Sequence, residues 1–120
     1  MQVIGQIFTT ALVVLMLTGA AQAAELFTSL LFLGDNQLRC TIVNVSDQPQ
    51  STTIQPIDRF NNPVSGFTTI LDPGEGSFLG VSALSDGYCK FMVSGKKEFF
   101  RANAVIFQPG VGTIAVVPAQ

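Results

Sequence analysis

Leu38-Arg39-Cys40-Thr41-Ile42 and Asp86-Gly87-Tyr88-Cys89-Lys90-Phe91-Met92-Val93 are the stretches that decide how this chain folds. In both, the cysteine falls on the apolar phase of a period-two alternation. Leu38, Cys40 and Ile42 share one side, while Cys89, Phe91 and Val93 share another, with Tyr88, Lys90 and Met92 opposite. That period marks a strand with one face on a core, so both cysteines point inward. They are the chain's two cysteines. In an oxidising compartment a Cys40–Cys89 disulfide is the expected state, with two buried free thiols as the alternative. Closing a loop of about 50 residues stabilises a small domain by on the order of 4 kcal/mol.

Outward from these stretches, turn signals recur at short intervals: Gly34-Asp35-Asn36, Ser46-Asp47-Gln48-Pro49, Asn61-Asn62-Pro63, Asp72-Pro73-Gly74, Ser85-Asp86-Gly87, Ser94-Gly95 and Pro109-Gly110. Runs rich in Val, Ile, Phe and Thr separate them, which is the spacing of an all-β sandwich or barrel. Strands are expected over residues 26–33, 38–45, 51–58, 67–71, 76–83, 87–94, 98–107 and 112–117, enough for two packed antiparallel sheets. Pro56 cannot donate to a ladder, so its strand is expected at an edge or bulged there. Asp72-Pro73-Gly74 reads as a tight turn with positive φ at the glycine. Ser94-Gly95-Lys96-Lys97 reads as a hairpin between the sixth and seventh strands.

The first 23 residues differ from the rest. No charged side chain precedes Glu25, Ala11 to Leu17 form a short apolar run, and Ala21-Gln22-Ala23 supplies the small-x-small pattern that signal peptidase accepts. Residues 1–23 are therefore expected to be a signal peptide cleaved after Ala23, although no Lys or Arg stands in its n-region. An uncleaved anchor is the alternative, disfavoured because the run falls short of the ~20 residues a spanning helix needs. The mature domain, residues 24–120, keeps every charged residue and is expected to be secreted or periplasmic, with no transmembrane span.

The segment from Leu38-Arg39-Cys40-Thr41-Ile42 through Asp72-Pro73-Gly74-Glu75-Gly76 to Asp86-Gly87-Tyr88-Cys89-Lys90-Phe91 resembles an immunoglobulin-like β-sandwich of the kind found among small exported bacterial proteins. The chain departs from true immunoglobulin domains in having no Trp, and Tyr88 adjoins Cys89 instead of lying two residues before it. The resemblance implies an analogous sandwich and no particular activity.

Composition closes several chemistries. With no His, Ser-His-Asp and Cys-His catalysis are excluded. A formal net charge of -2 supplies no basic field for nucleic acid. Two cysteines without His leave too few ligands for zinc, and neither Asp72 with Glu75 nor Asp58 with Asn61 and Asn62 matches a dedicated calcium loop. No metal or other cofactor is expected. Asp35, Asp47, Asp58, Asp72, Glu75 and Asp86 fall in or beside turns, the ordinary place for such residues. Asn44-Val45-Ser46 is formally a glycosylation acceptor.

Lys90, Lys96, Lys97 and Arg101, with Phe99 and Phe100, are the local basic and aromatic cluster, read either as a surface-binding patch for an anionic group or as guards of an edge hairpin. The final run Gly112-Thr113-Ile114-Ala115-Val116-Val117 is uncharged and apolar on both faces, so it is either buried at home or offered to a partner by strand addition. The expected function is a non-catalytic binding or structural module of the cell envelope, in contact with an envelope protein or glycan. A surface-assembly subunit completed by strand addition and a carboxylate-based wall polysaccharide hydrolase are the alternatives.

Overall fold

The computed structural model describes residues 23–120. The expected signal peptide lies outside the described residues except for Ala23. Nine strands follow: β1 (Ala24–Phe27), β2 (Leu31–Phe32), β3 (Gln37–Asn44), β4 (Gln50–Asp58), β5 (Phe67–Leu71), β6 (Gly76–Val81), β7 (Asp86–Val93), β8 (Phe100–Gln108) and β9 (Gly112–Pro118), with a 3₁₀ turn at Lys97–Phe99 before β8. Sheet A has the order β1-β7-β4-β5, with β2 also beside β7, and sheet B has the order β6-β3-β8-β9. Every pairing is antiparallel. The described residues form an all-β, two-sheet antiparallel sandwich, and among them no helix is long and apolar enough to cross a membrane.

The alternation read from the sequence builds the core. Leu38, Cys40 and Ile42 from β3 meet Cys89, Phe91 and Val93 from β7, and Ile54, Leu71, Phe100, Ala102 and Ala104 fill the space between the sheets. Cys40 in sheet B and Cys89 in sheet A form the disulfide, with Cα atoms 5.6 Å apart, so the bridge runs from sheet to sheet. In immunoglobulin domains the strand of the second cysteine lies between strand C and the last strand, G. Here β7 lies between β4 and β1, the first of the described strands, while β8 crosses over to lie beside β3. The sandwich is immunoglobulin-like in its layers and bridge, with the terminal strands exchanged between sheets.

Three local expectations are resolved by this topology. The run expected as one strand over residues 26–33 is two strands. Phe27 pairs with Lys90 and Leu31 with Gly87, so β1 and β2 hold one residue more than β7 between those pairs. Thr28 keeps the inward phase of Leu26, and at this bulge its Oγ1 accepts the Cys89 N–H at 2.9 Å. Pro56 sits in an inner strand, yet β5 stops pairing at Phe67 opposite Ile54, and the Pro56 carbonyl accepts Val64 N–H at 2.9 Å instead. The expected edge or bulge is therefore not found: β4 is an inner strand in regular register, and the missing N–H faces residues 62–64, which bridge to it at Ile57–Pro63. The Asp72-Pro73-Gly74 turn forms as read, with Gly74 at φ +81° and Glu75 N–H donating to Asp72 O at 2.9 Å.

A further expectation is corrected. Ser94-Gly95-Lys96-Lys97 is no hairpin, because β7 belongs to sheet A and β8 to sheet B. The connection instead crosses the end of the sandwich through the 3₁₀ turn. Gly95 is buried on that crossing, and a Cβ there would lie 2.7 Å from Gln50 Oε1 and 2.9 Å from Phe99 Cδ2. A larger residue there would have to displace the Gln50 amide and the Phe99 ring.

Candidate functional site

β3 delivers Leu38, Cys40 and Ile42 to the core, so Gln37, Arg39 and Thr41 emerge on the outer face of sheet B. Register chooses their neighbours. Phe78 and Asn103 flank Thr41, Gly80 and Val105 flank Arg39, and Phe107 lies opposite Gln37. One strand further out, Val116 lies opposite Val105.

Arg39 occupies the centre of this face. Its guanidinium carbon is 3.6 Å from the Phe107 ring centroid and 5.6 Å from that of Phe78. The ring faces carry negative charge density, which attracts the cation at a cost in hydration smaller than full burial. Arg39 Nε donates to Gln37 Oε1 at 2.6 Å, and Gln37 Nε2 donates to Ser82 Oγ at 3.4 Å. Gly80 leaves room for that amide, since a Cβ there would stand 3.2 Å from Gln37 Cδ. The ion pairs among the described residues are Arg59–Asp86 at 3.2 Å and Lys90–Glu25 at 3.6 Å. Arg39 is therefore held by two rings and an amide, with no carboxylate on it.

Around this arginine the face is apolar and open. Phe78 is 60% exposed and Val116 55%, and Ile114 and Val43 are exposed as well. The outward positions of β3, β6, β8 and β9 include Arg39 and Arg101 and no acidic residue, although the whole chain carries a net charge of -2. Enrichment in aromatic residues and Arg with depletion of Lys, Asp and Glu is the composition of a contact surface.

The basic cluster read from the sequence is divided by the fold. Lys90 lies on the outer face of sheet A, where it pairs with Glu25 and stands 5.8 Å from the Phe27 ring centroid. Arg101 lies on the outer face of sheet B, opposite Val43, and its Nη1 donates to the carbonyls of Glu98 and Phe100 at 3.2 and 3.0 Å. Lys96 and Lys97 are exposed at the crossing between the sheets, Phe99 packs against the core and Phe100 is buried. Lys97 and Arg101 do share an open cleft of about 590 Å³ with Glu98, Asn103, Pro118 and Gln120. Lys90 is no part of it.

Other polar residues serve the scaffold. Asn44, the formal glycosylation acceptor, is fully buried: its Nδ2 donates to the carbonyls of Gln48 and Leu71 at 2.8 and 2.9 Å, and its Oδ1 accepts from Ser46 N and Oγ. A glycan cannot sit on it in the folded domain. Asp58 Oδ1 accepts the N–H groups of Phe60 and Asn62, and Glu75 Oε1 accepts that of Asp72. These acids do the turn-forming work expected of them.

The last strand is half at home. β9 pairs with β8 along one edge, and beyond its end Gln120 exchanges two backbone hydrogen bonds with Phe27 of β1, at 2.9 and 3.0 Å. Ala119 N–H donates to Ala102 O, so by antiparallel alternation the Val116 N–H and C=O point away from β8 to an open edge.

No protein-family model and no curated protein matches the chain. Among solved structures, the Thermotoga maritima 1070 protein is similar over 82% of this chain and 94% of its own, with a TM-score of 0.57 and 9% identity. The likeness is one of fold. The Anabaena sensory rhodopsin transducer matches 69% of this chain and 92% of its own, with a TM-score of 0.44 and 8% identity.

Proposed function

We propose that this chain is an exported, non-catalytic binding module of the cell envelope, and that the outer face of sheet B is its contact surface. The observation that carries the reading is the Phe78–Arg39–Phe107 arrangement, in which a half-buried cation, held by the Gln37 amide and two rings, lies beside the exposed Phe78 without an acidic partner. Export is supported by the composition of the first 23 residues and by the inter-sheet disulfide, which an oxidising compartment maintains. The hydrolase alternative has weaker support, because Asp58, Glu75, Asp86 and Glu25 are engaged in turns and ion pairs.

The test is co-sedimentation of the 24–120 protein with native envelope fragments. Phe78→Ser combined with Val116→Ser should weaken binding about tenfold or more, the loss that ~1.4 kcal/mol of contact energy produces. Ile70→Ser, which removes an equally exposed apolar side chain from sheet A, should leave it unchanged. Loss in the sheet A variant, with the sheet B variant binding normally, moves the contact to the other face.

A second reading rests on the open edge of β9, which an incoming strand can extend. Val116→Pro removes the outward N–H while keeping the β8 pairing. Concentration-dependent self-association that this variant abolishes would favour an assembly subunit.

A further inference from the structure

We propose that Arg39 receives a carboxylate carried on a sugar ring, making the outer face of sheet B a site for uronate-containing glycans. The inference rests on that face being the contact surface and assigns its ligand class. With Nε–H directed to Gln37 Oε1, the guanidinium keeps its two Nη groups for an incoming ligand, and they present the parallel N–H pair that a planar carboxylate accepts in bidentate fashion. The ring of Phe107 at 3.6 Å and the Gln37–Ser82 contact fix the plane of that fork before any ligand arrives, so little side-chain freedom is lost on binding.

Charge selects a monoanion. Arg101, the other cation on this face, is opposite Val43, four residues along β3 from Arg39. At ~3.3 Å per residue that is about 13 Å, too far for both to grip one phosphate. Its Nη1 is also turned back onto the carbonyls of Glu98 and Phe100.

The surroundings select the body that carries the charge. Phe78 offers a largely exposed ring beside Arg39, and a pyranose can lay its partly positive C–H groups on the negative ring face. On the adjoining rung the Asn103 amide and the Thr41 hydroxyl, which donates to the Asn103 carbonyl at 3.5 Å and keeps its lone pairs to accept, can meet sugar hydroxyls. The face is an open sheet surface, suited to an extended chain lying across it.

The experiment is an NMR titration of the 24–120 protein with trigalacturonate, following the Arg39 Nε–H and Phe78 ring signals. Parallel titrations use its methyl ester and inorganic phosphate. Trigalacturonate should shift both sets of signals, the ester should bind at least about tenfold more weakly, and phosphate should leave the Phe78 ring unmoved. Arg39→Met should abolish the preference for acid over ester. Arg39→Lys, which keeps the charge and loses the fork, should retain only part of it, and either variant suffices if the other fails to fold.

Equal binding of acid and ester overturns the proposal, as do shifts centred on Lys97 and Arg101 or no response to the trimer. Envelope binding that depends on Phe78 and Val116 but not on added trigalacturonate would overturn the ligand class while leaving the contact face in place. Envelope binding indifferent to Phe78 and Val116 would overturn the contact face itself.

Discussion

On the outer face of sheet A, Lys90 pairs with Glu25, and the hydroxyls of Thr53 and Thr68 meet at 2.9 Å across neighbouring strands. On the outer face of sheet B, Arg39 lies between two phenylalanine rings, with Gln37 as its hydrogen-bonding partner and no acid in reach. Both faces come from strands of the same alternating kind. They differ in the partner of the cation and not in exposed apolar area: Lys90 on sheet A has a carboxylate, Arg39 on sheet B has none, while Phe27 and Ile70 are exposed on the one face and Phe78 and Val116 on the other. A surface of the second kind gains more from an anionic partner, because its cation has no carboxylate of its own to compete.

The two faces are held in one body by the inter-sheet disulfide, and the largest expected effect comes from breaking it. Replacing Cys40 and Cys89 together by Ala should cost roughly 2 to 5 kcal/mol in denaturant unfolding under non-reducing conditions. Coincident curves for variant and parent would show that the bridge does not hold the two sheets together. Asn44 is the second tie, reaching from β3 in sheet B to Leu71 O at the end of β5 in sheet A. Asn44→Ala leaves the Leu71 carbonyl without the Asn44 donor, while Gln48 keeps the Ser46 hydroxyl, and should cost about 2 to 3 kcal/mol. Urea midpoints measure it.

Double-mutant cycles compare the two faces directly. Arg39→Met with Phe107→Leu should give a coupling of about 0.5 to 1 kcal/mol. The exposed Glu25–Lys90 pair should give about 0.5 kcal/mol or less, vanishing in molar salt. A larger coupling on sheet A would reverse the ranking of which cation is held more firmly. The smallest effect lies beneath sheet A, where Thr52 is fully buried and its hydroxyl has no hydrogen-bond partner. Thr52→Val should be neutral or stabilising by up to about 1 kcal/mol, read as a rise in melting temperature.

Much of the fold was legible from local pattern. Leu38, Cys40 and Ile42 on β3 and Cys89, Phe91 and Val93 on β7 are buried as their alternation requires, and Gly74 adopts the positive φ that Asp72-Pro73-Gly74 predicts. The basic cluster was legible only as neighbours in sequence. Lys90 and Arg101 stand eleven positions apart, yet the crossing from β7 to β8 puts them on opposite faces of the sandwich. Asn44 carried an exposed-site motif and became a buried pin, because nothing local shows that the Leu71 carbonyl lies beside it.

By itself the amino-acid sequence determined the strands, their inward faces, the paired cysteines and the absence of histidine chemistry. These are properties of single residues or of a two-residue period, and neighbouring side chains are enough to set them. The tertiary structure alone decided that Phe78 and Phe107, thirty-nine and sixty-eight residues from Arg39, flank it on one face. That outcome depends on which strands pair and in what register, and the free energy that selects a register is summed over the whole core.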